Sequence, residues 1–348
     1  MADNIDLSSL PPGFYPTYET CSSISQLCPV QATTLGYSPN LGVNMFVAIG
    51  FGLFGIITLA TGLWKRTWGF SLAVAAGCIL ECVGYVGRVL LSENAWNGDA
   101  FKMQIVAIVL GPTLVCIGLY LTLRHIVISL NPELSRLTPR LYPMFFVPAD
   151  VSCLVIQAIG GGVAAAAGRD NYDILKHGNR IIMVGIVLQV LVLGAFGGLA
   201  GDYLVRVGKV FRQTPEMEGG ALWKDGKFRA FLWAMGGAYV ALMIRCIYRI
   251  AEMAGGWGNH IMQHESSFVV LESFMVLIGC GLLACFAPGF MFPEMSHDQR
   301  VKNMGKGRQQ GGVDVEMVGA GEKGKESAGP STSPSDTERR PGTGEGGF

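Results

Sequence analysis

The sequence predicts an all-α membrane protein, a bundle of seven transmembrane helices, and three observations carry that prediction. Half of the 348 residues are hydrophobic and the mean hydropathy is +0.39. Only 15% are charged, where soluble domains carry about 25%. The apolar residues gather into blocks of roughly 20, the length a helix needs to cross a bilayer. These blocks are Asn44–Trp64, Gly69–Leu91, Met103–Leu123, Phe145–Ala167, Ile181–Gly201, Phe231–Ile250 and Phe268–Pro288. The first, third and fifth contain no charged residue, so folding in water would leave apolar faces that no single core could cover. The formal net charge is zero, and no nucleic-acid partner is expected.

Basic residues set the orientation. Residues 1–64 hold no Lys or Arg. Lys65 and Arg66 follow the first span, and Arg124, Arg136 and Arg140 follow the third. Arg206, Lys209, Arg212, Lys224, Lys227 and Arg229 follow the fifth, and Arg300, Lys302, Lys306 and Arg308 come after the seventh. The opposite loops hold Lys102, Arg169, Lys176 and Arg180, the last three offset in part by Asp170 and Asp173. The N-terminus is therefore expected outside and the C-terminus in the cytosol. Three regions follow: an extracellular segment 1–43, a membrane domain 44–292 and a cytosolic tail 293–348. The tail is rich in Gly, Ser, Pro and charge, which predicts disorder.

Segment 1–43 is polar and lacks the basic n-region and short apolar core of a cleavable signal peptide. It carries Cys21 and Cys28 on the oxidising side, where they can form a disulfide. The other seven cysteines fall inside spans, as small apolar packing residues. No Asn-x-Ser/Thr sequon occurs, so N-glycosylation is not expected.

The second span carries Glu81 near its middle and Arg88 seven residues on, projecting from the same helical face. Gly84 lies between them, and its small size lets a neighbouring helix come close. Gly111-Pro112 predicts a kink in the third span, which ends at Tyr120 and Arg124. Asp150 opens the fourth span, Gln157 follows seven residues later, and Gly160, Gly161 and Gly162 signal close backbone approach or local unwinding. The fifth holds Gln189. In the sixth, Arg245, Arg249 and Glu252 are spaced i, i+4, i+7 and so share a face. The seventh carries Glu272, with Glu265 at its outer mouth.

A charge near the centre of a span costs about 2.5–3.5 kcal/mol on insertion scales. Such a residue therefore faces protein or a water-filled cavity. One reading is a structural ion network, with the arginines of the sixth span snorkelling to the interface. The other is a polar cavity, favoured by the matching charges on several spans. Under the expected topology Arg88, Arg245, Arg249, Glu252 and Glu272 lie in the outer half. Glu81 lies at mid-depth and Asp150 towards the cytosol.

The same residues resemble the fungal lipid-translocating exporter family, seven-span proteins tied to aminocholesterol resistance and sphingoid-base export. The likeness rests on Glu81-x-x-Gly84-Tyr85-x-Gly87-Arg88, on Pro112 with Tyr120, and on Asp150-x-Ser152-x4-Gln157-x-x-Gly160-Gly161-Gly162. It continues in Gly185-x3-Gln189 and is strongest in Arg245-x3-Arg249-x-x-Glu252-x-x-Gly255-x-x-Gly258, followed by Glu265. It covers roughly residues 40–292. Glu272 departs from the pattern, since the family usually has aspartate after aromatic residues there. The resemblance implies a multi-pass protein, expected in the plasma membrane, that exports sphingoid bases or other lipids and amphiphiles.

Other chemistries are not expected. Gly319-x4-Gly324-Lys325 resembles a phosphate-binding loop, but Glu326 takes the Ser/Thr position and no strand precedes it. His260 and His264, at i and i+4 and followed by Glu265, could ligate zinc as in seven-span membrane hydrolases, but such sites need at least a third ligand facing the same site. His125 and His297 sit on the cytosolic side, and His177 is in another outer loop. No catalytic residue, metal or cofactor is therefore expected. A receptor-like lipid sensor shares the topology, but charges inside the spans favour a transporter. The residues expected along its path are Glu81, Arg88, Asp150, Gln157, Arg245, Arg249, Glu252 and Glu272. A sphingoid amine would be drawn to Glu81 or Glu272, and hydroxyls to Gln157.

Overall fold

A computed structural model describes residues 16–18, 20–166, 172–214, 219–255 and 261–287. His260, His297, Asp170 and the Gly319–Lys325 stretch lie outside these, as does the whole of the expected tail. Among the described residues every long element is helical, and seven helices are long and apolar enough to cross a membrane. The chain is a multi-pass membrane protein.

Helix α1 (Leu41–Lys65) starts where the Asn40 side chain accepts from the Val43 amide, supplying a partner that the first turn lacks. It stops at Arg66, which takes a left-handed conformation (φ 55°) and turns its amide back onto Gly62. Helix α2 (Trp68–Glu93) follows almost at once. Helix α3 (Gly98–Leu130), capped by the Asn97 side chain, runs through Pro112 without ending. Next come α4 (Leu141–Ala166), α5 (Tyr172–Gln213), a short α6 (Gly220–Lys224) and α7 (Gly226–Ala254). The seventh span is composite: α8 (Glu265–Phe268), a π-helical turn Val269–Phe274, and α9 (Met275–Cys285).

Helices α3 and α5 outrun their apolar blocks the furthest. At 1.5 Å per residue, the 33 residues of α3 span about 50 Å and the 42 of α5 about 63 Å, against roughly 30 Å of hydrocarbon. Beyond Gly201, α5 changes character rather than ending. Tyr203, Val207 and Phe211, at i, i+4 and i+8, remain buried, while Asp202 pairs with Arg136 and Arg206 on the exposed side. An apolar window ends at the first charges; the helix does not.

The helices close a ring in which α1 meets α2, α2 meets α3, α3 meets α4, α4 meets α5, α5 meets α7, and α9 joins α7 to α1. Helix α3 is the most enclosed span and also touches α7. Its Val115, Leu119, Tyr120, Leu123 and Val127 lie within the core. Outward faces remain apolar, with Ile49, Ile56, Leu72 and Leu191 exposed, as suits a lipid surround. Trp64, Trp68 and Trp233, at the ends of the spans expected to face the cytosol, are exposed too, where aromatic belts form.

Small residues set the closest helix contacts. A Cβ at Gly84 would come within 2.6 Å of Ile108, so α2 and α3 touch as the sequence suggested. On α4 the expectation holds for Gly160 alone, where a Cβ would sit 2.7 Å from the Ile182 amide. Gly161 and Gly162 face open space and are not packing glycines, and the helix stays wound through all three. The reason is angular: consecutive helical residues are about 100° apart, so three in a row cannot face one partner. The reciprocal small residues are Gly178 and Gly185 on α5, pressed against Ala164 and Gln157.

Cys21 and Cys28 are joined in a disulfide that holds a cap over the end of the bundle expected to face outward. Trp96 donates its ring N–H to the Cys28 carbonyl (2.9 Å), and the Asn94 amide donates to the Ser22 carbonyl (2.8 Å). Leu35 is buried against Leu91 and Ala100.

Candidate functional site

The polar residues predicted from the sequence form a series of rungs along α3 rather than one cluster. From Gln104 to Tyr120 that helix rises about 24 Å, most of the hydrocarbon thickness, and it takes part in a polar contact at each level.

The outermost rung belongs to Arg88. Its Nε donates to Asn44 Oδ1 (2.9 Å), Nη2 to the Tyr37 hydroxyl (3.0 Å) and Nη1 to Gln104 Oε1 (3.4 Å). The guanidinium lies 4.1 Å from the centre of the Phe268 ring. Arg88 thus does not pair with Glu81, as an i, i+7 reading allowed. Two helical turns separate their side chains by about 10 Å along the axis. Burial raises the Tyr37 hydroxyl above its ordinary value, against the opposing pull of Arg88. The phenol stays neutral and remains able to accept from the guanidinium.

Beneath it lies an ion cluster. Arg245 contacts Glu272 Oε1 through Nη2 (2.7 Å) and Nε (2.9 Å), and both side chains are almost fully buried. Arg249 pairs with Glu252 (2.6 Å) and approaches Glu272 at 3.8 Å. Arg245 Nη2 also donates to the Ile108 carbonyl at 2.9 Å. Ile108 precedes Pro112 by four residues, and proline has no N–H to offer that carbonyl. The proline therefore opens a backbone acceptor on α3 that the arginine of α7 fills. Glu272 and Ser273 sit in the π turn, and Ser273 accepts from the Tyr85 hydroxyl at 2.7 Å. Such turns recur at functional sites.

Lower down, Glu81 lies against Gly111 with neither carboxyl oxygen hydrogen-bonded. At a similar level of α3 an amide chain crosses three helices: Gln157 donates to Gln189 (3.0 Å), and Gln189 to Thr113 (3.2 Å). Nearest the expected cytosolic side, Asp150 accepts from the Tyr120 hydroxyl at 2.7 Å, leaving its other oxygen unpartnered. Gln157 and Asp150 thus belong to separate rungs, and Gln157 stands apart from the ion cluster.

A cleft of about 40 Å³ opens between the cap and the ion cluster, lined by Tyr37, Arg88, Gln104, Arg249, Glu252 and Phe268 among others. Two guanidinium groups, one carboxylate and a flat aromatic face in a partly apolar cleft suit the polar end of an amphiphile. Among the described residues no three His, Cys, Asp or Glu side chains are grouped to hold a metal ion. Glu265 instead accepts from the Asn40 amide at 2.6 Å, tying the seventh span to the start of α1.

Sequence reasoning missed Tyr37, Asn44, Gln104, Thr113 and Ser273. Four of these are polar residues inside apolar blocks, a signal as readable as the charges. Tyr37 carried no such mark.

The family described as RTA1-like protein matches residues 74–295. Over 283 residues, 74% of each chain, the sequence is 28% identical to the sphingoid long-chain base transporter RSB1 of Saccharomyces cerevisiae. It is 26% identical to protoporphyrin uptake protein 1 of the same yeast, covering 62% of this chain and 67% of that one. Protein RTM1 of Saccharomyces cerevisiae is also 26% identical, over 62% of this chain and 66% of its own. No solved structure matches.

Proposed function

The chain belongs to the RTA1-like protein family, and on that premise we propose that it moves lipids or lipid-like amphiphiles across the membrane without altering them chemically. The substrate class favoured is the sphingoid long-chain base, and the expected location is the plasma membrane. The observation that carries this reading is the buried Arg245–Glu272–Arg249–Glu252 cluster beneath the outer cleft. Charges this deep are expensive and mark substrate paths. A head group bearing one ammonium and hydroxyls finds carboxylates at Glu252 and Glu272, while its chain lies along the apolar faces of the spans. Polar rungs at Gln157–Gln189 and Asp150–Tyr120 offer further stations towards the other side. The relatives' printed names fit this class, since two of them are a base transporter and a porphyrin uptake protein.

Reconstitution tests it. Vesicles containing the purified chain should move a labelled long-chain base between leaflets faster than protein-free vesicles. Equal rates would contradict the proposal.

A further inference from the structure

We propose that Glu81 is a proton-binding site, and that the cycle exchanges this proton for a cationic amphiphile through the arginine it shares with Glu272. The second half rests on the transport reading above; the first does not.

The Glu81 carboxyl is 1% exposed and lies near the middle of α2. Neither oxygen has a hydrogen-bond partner. A Cβ on Gly111 would come within 2.8 Å of Oε1, so the carboxyl fills the space left by that glycine, and no head group fits between them. The outer cleft is lined by Arg88, Arg249 and Glu252 but not by Glu81. The smallest cation is the one that fits.

The charged and titratable groups whose fields reach this carboxyl come from four elements. They are Arg245 and Arg249 of α7, Glu272 of the π turn, Cys78 and Tyr85 of α2, and Cys280 of α9. Both arginines have partners elsewhere: Arg245 is committed to Glu272 and the Ile108 carbonyl, and Arg249 to Glu252. An isolated buried carboxylate is so costly that the group takes up a proton instead. Glu81 therefore rests as the neutral acid while Arg245 holds Glu272.

The exchange follows from charge balance. When an ammonium head group reaches Glu272, it can replace Arg245 as that carboxylate's partner. Arg245 is then free to face Glu81. The Glu81 O–H bond breaks, its proton passes to water, and the carboxylate left behind is met by the guanidinium. One proton leaves as one ammonium enters, and the interior gains no net charge.

Infrared spectroscopy of the purified full chain at neutral pH reads the proton directly. Wild type should show the carbonyl stretch of a protonated carboxylic acid, and Glu81→Gln should lack it. A band of equal strength in Glu81→Gln would overturn the proposal. Should that variant not accumulate, isotopically labelled glutamate in wild type decides. A shifted band supports the site, and no protonated glutamate band at all refutes it. In vesicles, sphingosine entry should release protons in wild type. Sphingosine movement with no proton release would overturn the exchange while leaving the transport reading intact. A Glu81 band in a protein that moves no sphingosine would support the proton site and remove the transport reading.

Discussion

Arg245 shows how a single side chain ties the membrane interior together. It holds one carboxylate oxygen of Glu272 on the π turn and the Ile108 carbonyl exposed by Pro112. Replacing it with alanine leaves a buried carboxylate without its main partner, a loss of about 3–5 kcal/mol in comparable cases. Arg245→Ala should therefore lower the melting temperature of the detergent-purified protein sharply, and an unchanged melt would show that the pair is not structural. Arg245→Lys keeps the charge but loses the planar fork that serves two acceptors at once, so its melt should fall between the two. Tyr37→Phe is milder. It removes one acceptor from the charged Arg88 guanidinium, worth about 1.5–3 kcal/mol, and the expected result is a smaller shift with the fold retained.

At the scale of elements, α4 and α5 give the sharpest contrast. Gly160→Leu drives a side chain into the Ile182 amide, where overpacking costs about 1–3 kcal/mol. Gly161→Leu meets open space, and leucine is the better helix former. The first should reduce folded yield on size-exclusion chromatography and the second should not; the reverse order would refute the α4–α5 contact. These glycines also mark what the sequence could reveal. The seven spans were legible because apolar length is a one-dimensional property. Which of three adjacent glycines faces a neighbour depends on helix rotation, which no run of glycines encodes. The π turn around Glu272 was equally hidden, since Val-Val-Leu-Glu-Ser-Phe reads as ordinary helix. Glu81, Arg88, Asp150, Arg245, Arg249, Glu252 and Glu272 stood out as costly charges. Their division among rungs could not be read, because i, i+7 spacing gives a common face and says nothing of the partner on another helix.

For the whole molecule, the orientation set by the basic loops makes a direct prediction. A tag at the N-terminus should be reached from outside intact cells, and one at the C-terminus only after permeabilisation. Labelling of both from one side would contradict the seven-span arrangement. The disulfide cap yields another test. Leu35 is buried beneath it, and replacing both Cys21 and Cys28 with serine removes the bond that restrains the cap. In that background Leu35→Cys should react faster with a membrane-impermeant maleimide than in the disulfide-bonded chain. Equal rates would mean that the cap does not depend on the bond.

The central claim is that amphiphiles pass through the outer cleft, and blocking the cleft after folding tests it most directly. Ile105 lies in its wall, and the native free cysteines are buried or half-buried except Cys285, at the end expected to face the cytosol. In vesicles with the outer face outward, the Ile105→Cys chain should take up one more impermeant bulky maleimide than the wild-type chain. The measurement is the leaflet-to-leaflet rate of a labelled long-chain base before and after modification, with labelling confirmed by mass. The account predicts a rate near that of wild type before modification and one near that of protein-free vesicles after it. A fully labelled protein that still moves the base at its original rate would contradict it.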